Sequence, residues 1–136
     1  MPQDTIFAPM GAMALLTFLV LMFVYRRRVG SHRAGQVQIE DFRYGESGAV
    51  PGHVSIANRN YMNLLELPTL FYPVCLMFFV AGRVTPLVLA TAWTFVGLRT
   101  IHSVIHLSYN NIMHRLTAFA ASIAVLAALW LEFFVR

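Results

Sequence analysis

Residues 6–25 read IFAPMGAMALLTFLVLMFVY, a run of twenty residues without a charged side chain. An α-helix of about 20 apolar residues spans the hydrocarbon core of a bilayer. Asp4 precedes the run, and Arg26–Arg28 follow it directly without a small-residue cleavage site. A cleavable signal peptide carries its positive charge before the apolar run, so this arrangement predicts a retained transmembrane helix with its N-terminus outside.

The composition of the whole chain is that of an integral membrane protein. Hydrophobic residues make up 58% of the 136 residues and charged residues only 12%, whereas soluble domains contain about 25% charged residues. Three further apolar stretches lie at residues 56–82, 86–107 and 115–134, after a polar loop at 26–55. We therefore expect a single all-α domain, residues 1–136, whose four transmembrane helices form a bundle.

The arginines, which account for every basic residue, are distributed unevenly between the two ends of this bundle. Four spans bring the connections at 26–55 and 108–114 to one side, and most of the arginines lie there. Arg83 and Arg136 lie at the opposite side. By the positive-inside rule, we expect cytoplasmic connections and both termini outside. The bilayer and its headgroups are the expected partners of these arginines, and no nucleic acid is expected.

Seven polar residues interrupt the apolar stretches. They are Arg59, Asn63 and Glu66 in the second span, Arg99, His102 and His106 in the third, and Arg115 at the start of the fourth. Ionisable groups at membrane depth are costly and usually mark function. Each set of three has a spacing that places its members on one helix face. Because the second span enters from the cytoplasmic side and the third returns to it, we expect one polar cluster near that surface.

Individual residues of this cluster allow more than one interpretation. Glu66 and Arg99 are the deepest charges, and a structural ion pair between them is the simplest hypothesis. Arg59 and Arg115 can together bind a carboxylate-bearing ligand, or each can extend to lipid headgroups. Asn63 can bridge two helices or bind a ligand. The whole cluster can also be purely structural, holding the helices together.

His102 and His106 form an H-x-x-x-H pair, which can bind a metal ion or haem on one helix face. The sequence offers no obvious third ligand, so no metal is expected. Cys75 lies in the middle of the second span and is expected to be a small buried apolar residue.

These motif residues, in this order, resemble the MAPEG family, the membrane-associated proteins in eicosanoid and glutathione metabolism. Residues 59–66 match its R-x-x-x-N-x-x-E pattern, and residues 99–102 match its R-x-x-H pattern. The resemblance runs from Ile56 to Arg115, and the four-span layout extends it to the whole chain. The protein looks like a bacterial-type microsomal glutathione transferase.

The resemblance implies a homotrimer with glutathione, as co-substrate, in clefts between subunits that open to the cytoplasm. It implies that glutathione is bound by Arg59, Asn63, Glu66, His102, His106 and Arg115. Arg115 would be catalytic by stabilising the glutathione thiolate, while Arg99 supports Glu66. The implied function is a glutathione-dependent transferase or peroxidase of a bacterial inner membrane, detoxifying lipophilic electrophiles.

Three positions depart from the family pattern. A frequent tyrosine is His106 here, a frequent basic residue is Met62, and a frequent hydroxyl residue is Leu116. These departures leave open an alternative, a non-catalytic lipid-binding protein or accessory subunit of a larger membrane complex. A haem or metal protein based on His102 and His106 is a third interpretation.

Overall fold

Five α-helices account for most of the computed structural model, which describes residues 1–135. They are α1 (Phe7–Arg33), α2 (Gly52–Glu66), α3 (Pro68–Val80), α4 (Pro86–Leu107) and α5 (Ile112–Val135). Two 3₁₀ turns, Gln3–Ile6 and Ile39–Phe42, complete the regular structure, and residues 1–135 form no β-strand. Arg136, predicted to lie at the far side of the bundle, is outside the described residues. The predicted all-α fold is confirmed.

The helices form four segments that are long and apolar enough to cross a membrane, as predicted. Helices α2 and α3 together make one of these segments, Gly52–Val80, with an interruption at Leu67. Pro68 causes the interruption because it has no N–H to continue the helical hydrogen-bond ladder, and it occupies the favoured first position of α3. Pro73 remains inside α3.

Helix α1 continues to Arg33, well beyond the predicted end of the first span at residue 25. Arginines are good helix formers, so the positive charges do not end the helix. It ends at Arg33, and the φ of 70° at the following Gly35 lets the Gln36 N–H bond to the Ser31 carbonyl. The polar connection is therefore shorter than predicted.

The connection after α1 is folded back onto the helix ends. Val37, Val50 and Val54 form a small buried apolar cluster of their own. Arg28 forms a 3.3 Å ion pair with Glu46 from within this connection. These contacts fix the C-terminal turns of α1 beside the N-terminus of α2.

The apolar core lies in the middle of the bundle and towards the end opposite to this connection. Phe71 of α3 and Phe95 of α4 stack there with ring centroids 4.7 Å apart, and both are fully buried. At the same end, the Arg83 Nη1 atom donates a hydrogen bond to the Phe133 carbonyl at 3.0 Å. The predicted buried position of Cys75 is confirmed. The other half of the bundle carries the buried polar residues.

Candidate functional site

Helix α4 buries four polar residues of its C-terminal half inside the bundle. Arg99 is 0% exposed, and His102, Ser103 and His106 are each 2% exposed. The spacing of Arg99, His102 and His106 places them on one face of α4. Helix α4 packs against α5, α1 and α2. Buried groups of this kind are normally satisfied by protein, water or a ligand.

Arg99 connects the two predicted motifs through the main chain. Its Nη2 atom donates a 2.7 Å hydrogen bond to the carbonyl oxygen of Asn63, and its guanidinium lies 5.4 Å from the centre of the Phe119 ring. Its Nε and Nη1 atoms are buried and have no hydrogen-bond partner among residues 1–135. The side chain thus bridges α2, α4 and α5.

The predicted direct ion pair between Glu66 and Arg99 is not formed. The ion pairs within 4.0 Å in the described part of the chain are Arg28–Glu46 and Arg43–Glu40. Glu66 is exposed at the end of α2, where the helix is interrupted, while Arg99 points to the carbonyl almost one turn earlier.

Three of the predicted site residues meet in one cavity of about 200 Å³. Asn63 of α2, His102 of α4 and Arg115 of α5 line it. Its apolar wall consists of Phe119 and the exposed residues Ile112 and Leu116. The cavity therefore combines an amide, an imidazole and a guanidinium with an apolar side that faces outwards.

Arg115 is held in place by the turn between α4 and α5. Its Nη1 atom donates a 2.7 Å hydrogen bond to the Asn110 side-chain oxygen. Asn110 has a φ of 48°, a left-handed conformation that asparagine tolerates better than most residues. The turn thus presents an acceptor that orients the guanidinium at the cavity.

The remaining predicted site residues lie outside this cavity. The His106 ring is 5.4 Å from that of His102, edge to face, but lines a different cavity with Arg27 and His53. Arg59 and Glu66 are exposed. The structure thus groups Asn63, His102 and Arg115 and separates His106, Arg59 and Glu66 from them.

A buried pair that sequence reasoning missed lies beside the cluster. The Ser103 hydroxyl donates a 3.2 Å hydrogen bond to the Asn60 side-chain oxygen, and both residues are buried. The available signal was that Asn60 shares a helix face with the apolar residues Ala57 and Leu64. The Asn60 Nδ2 atom has no partner in the described part of the chain.

Several buried polar atoms in this half of the bundle have no partner among residues 1–135. They are Arg28 Nε at the end of α1 and, around α4, Asn60 Nδ2, Arg99 Nε, Arg99 Nη1, His102 Nδ1 and His106 Nδ1. Native proteins leave few such atoms unsatisfied, so their concentration suits a polar ligand beside α4. Within the same residues, no group of three or more His, Cys, Asp or Glu side chains is placed to hold a metal ion.

Four membrane-spanning helices with arginine and histidines buried at one end define an integral membrane protein with a polar site inside the bundle. The chain belongs to the MAPEG family, whose model matches residues 6–135 and so includes all five helices. No curated protein and no solved structure gave a significant match to this chain. The family resemblance carried by the two motifs is therefore confirmed over almost the whole sequence.

Proposed function

We propose that this protein is a membrane-bound glutathione-dependent transferase or peroxidase that acts on lipophilic electrophiles. The observation that carries the proposal is the cavity lined by Asn63, His102 and Arg115. The MAPEG family includes glutathione transferases and related proteins. Detoxification is the physiological role that fits this activity.

Arg115 stabilises the reacting form of glutathione in this proposal. An unperturbed thiol has a pKa of about 8.5, so only a few per cent is thiolate at neutral pH. A guanidinium next to the sulfur favours the thiolate, which is the nucleophile. The 2.7 Å hydrogen bond from Arg115 to Asn110 orients the guanidinium before the ligand arrives.

Two reactions are open to such a thiolate. In transfer, the sulfur forms a bond to an electrophilic carbon, and the leaving group departs with its electron pair. In peroxide reduction, the thiolate attacks the terminal oxygen of a lipid hydroperoxide and the O–O bond breaks. Glutathione sulfenic acid forms, and the released alkoxide takes up a proton from water to become an alcohol. A second glutathione then converts the resulting sulfenic acid to a disulfide and water.

The other polar residues of the two motifs position the tripeptide. Glutathione carries two carboxylates and one ammonium group, and the exposed Arg59 and Glu66 offer charges complementary to these. Asn63 and His102 bind its main-chain groups, and His106 assists from the adjacent cavity. A neighbouring subunit of a homotrimer closes the cleft over these exposed residues.

The lipophilic substrate reaches the sulfur from the bilayer. Ile112 is 66% exposed and Leu116 is 55% exposed, and both line the outer wall of the cavity. An apolar electrophile can therefore pass from lipid into contact with the thiolate. We place the cavity at the cytoplasmic side of a bacterial inner membrane, with both termini outside, because the arginine-rich connection lies at the same end.

The second candidate function is a non-catalytic lipid-binding or accessory subunit. It is favoured by Met62 and Leu116, which are 50% and 55% exposed at positions where the family resemblance implies a basic and a hydroxyl residue. A partner protein that co-purifies at a fixed ratio in mild detergent, together with failure to bind glutathione, would support it.

Calorimetric titration of the full-length protein with glutathione tests the proposal. We expect saturable binding, with affinity lowered by roughly tenfold or more in Arg115→Gln because a charge-assisted interaction is lost. The matched control is Arg26→Gln, an exposed arginine of α1 away from the cavity. Absence of binding by a folded protein at millimolar glutathione would contradict the proposal.

A further inference from the structure

A second cavity, of about 420 Å³, lies between α1, α2 and the C-terminal end of α4. It shares no lining residue with the cavity of Asn63, His102 and Arg115. The proposed glutathione chemistry makes no use of this space beyond His106. We call it the basic cavity, after the side chains that line it.

The polar lining of the basic cavity consists of cationic and hydrogen-bonding groups. Arg27 of α1, His53 of α2 and His106 of α4 line it together with Ser108 and Asn110 after α4, and no acidic side chain within residues 1–135 does so. Glu46, an acidic residue of the neighbouring connection, is paired with Arg28 at 3.3 Å. The charge of Arg27 therefore faces the cavity without a carboxylate to neutralise it.

His106 supplies a second sign of a ligand in the basic cavity. The residue is 2% exposed, it lines the basic cavity, and its Nδ1 atom has no partner among residues 1–135. Arg27 is held over the Phe23 ring, with its guanidinium carbon 4.8 Å from the ring centre. Both groups are thus placed at the cavity before any ligand binds.

The N-terminus of α2 opens into the same space. Gly52, the first residue of this fifteen-residue helix, lines the cavity, and Pro51 provides no side-chain cap. The hydrogen bonds at this terminus begin with the Val54 and Ser55 amides, both to the Pro51 carbonyl. Free amides at a helix N-terminus favour an anion, and phosphate groups bind there frequently.

An apolar groove continues from the basic cavity along α1 and α4. The groove has a volume of about 390 Å³, and Phe23, Leu107 and Ser108 line both spaces. Leu16, Leu19, Val20 and Val104 form most of its remaining length. These residues belong to the apolar spans, so the groove lies at the depth of lipid acyl chains.

We propose that the basic cavity and this groove together bind one anionic phospholipid. Its phosphate lies among Arg27, His53, His106 and the N-terminus of α2, and one acyl chain lies along the groove. Charge complementarity selects the headgroup, and the lining shared by the two spaces connects headgroup and chain. Arg27 and His53 belong to no part of the proposed glutathione site, so substitutions at these two residues test the lipid site separately, whereas His106 is shared by the two sites.

Native mass spectrometry of the delipidated full-length protein tests the site. The protein is titrated in uncharged detergent with phosphatidylglycerol, with phosphatidylcholine and, separately, with inorganic phosphate. We expect phosphatidylglycerol to bind at one site per chain in preference to phosphatidylcholine. Arg27→Gln should weaken that binding by roughly tenfold, since one charge-assisted contact is lost. Arg26→Gln, the neighbouring exposed arginine, should change it by about twofold or less.

Further variants separate the headgroup from the acyl chain. Val104→Phe fills the groove and should weaken phosphatidylglycerol binding, while leaving inorganic phosphate unaffected. His53→Gln repeats the headgroup test if Arg27→Gln does not fold, as judged by melting in detergent. Equal retention of the two lipids, or equal weakening by Arg26→Gln and Arg27→Gln, would overturn the proposal. Arg27-dependent binding of inorganic phosphate without lipid retention would also overturn it.

Discussion

The Arg99 guanidinium donates a 2.7 Å hydrogen bond to the main-chain oxygen of Asn63, so the arginine of one family motif binds the backbone of the other. A main-chain acceptor cannot be removed by a side-chain substitution, which makes this connection tolerant of changes at Asn63 itself. The contact fixes the relative position of α2 and α4 at the depth of His102. It therefore sets the shape of the cavity in which we place glutathione.

Two substitutions of Arg99 distinguish the contribution of its charge to the free energy of unfolding from the contribution of its volume. Arg99→Met keeps most of the buried volume and removes two unsatisfied nitrogens, so we expect the free energy of unfolding to stay within about 1 kcal/mol of the parent. Arg99→Ala leaves a cavity and should cost about 2–4 kcal/mol. Chemical unfolding in detergent measures both. Equal destabilisation by the two variants would show that the charge itself holds the fold.

The buried Asn60–Ser103 pair should be energetically coupled. A double-mutant cycle with Asn60→Ala and Ser103→Ala is expected to give a coupling energy of about 0.5–1 kcal/mol, as for other hydrogen bonds between membrane helices. The control replaces Ser103→Ala by Thr94→Val, because the exposed Thr94 hydroxyl bonds only to its own helix. A coupling energy near zero for the Asn60–Ser103 cycle would contradict the structure.

Asn110, in the turn before α5, should determine how well Arg115 stabilises the glutathione thiolate. Asn110→Gly preserves the left-handed backbone but removes the oxygen that accepts from Arg115, so we expect an unchanged melting temperature and a weaker thiolate signal with glutathione. Asn110→Ala should also lower stability by about 1 kcal/mol, because alanine disfavours this conformation. A full thiolate signal in Asn110→Gly would show that Arg115 does not need this orientation.

The connection after α1 should lose order in acid through Asp41. Hydrogen bonds from the Gln38 main-chain N–H and the Ser47 hydroxyl, both 2.8 Å, hold the pKa of Asp41 below its ordinary value of 3.8. Because the folded-state pKa is depressed, this stabilisation is complete above pH 3.8. It is lost as the pH falls through the lower folded-state value.

Hydrogen exchange of residues 38–47 in the parent and in Asp41→Asn measures this effect. Above pH 3.8, the parent should exchange more slowly than the variant. Below the folded-state pKa of Asp41, the two exchange rates should converge. Glu40→Gln is the control, because the Glu40–Arg43 pair is largely exposed and should contribute little. A rate ratio that does not change with pH would rule out Asp41 as the titrating group.

The sequence was sufficient to predict the four apolar helical segments and the burial of the polar residues of α4 inside the bundle. The spacing of Arg99, His102 and His106 predicts a shared buried face, and the structure has it. The spacing does not predict that His102 and His106 line two different cavities. Four residues turn a helix by about 40° beyond a full circle, which places His106 on the α1 side of His102.

Partners of buried groups were harder to predict than their positions. The opposite charges of Glu66 and Arg99 suggested an ion pair, but the Arg99 guanidinium donates to the main-chain carbonyl of Asn63. Every residue has such a carbonyl, so the sequence does not indicate which one is the acceptor. The interruption at Pro68 leaves Glu66 exposed at the end of α2. The buried position of Asn60 was hard to predict, because a single amide side chain in a helix is usually exposed.

The ultraviolet absorbance of glutathione thiolate, measured on the purified full-length protein near neutral pH, tests the central claim most directly. We expect a saturable thiolate signal at glutathione concentrations that leave free glutathione almost entirely protonated. Arg115→Gln should abolish the signal, and Arg26→Gln should retain it. Glutathione binding without a thiolate signal, or an undiminished signal in Arg115→Gln, would contradict the assignment of Arg115 as the thiolate-stabilising residue.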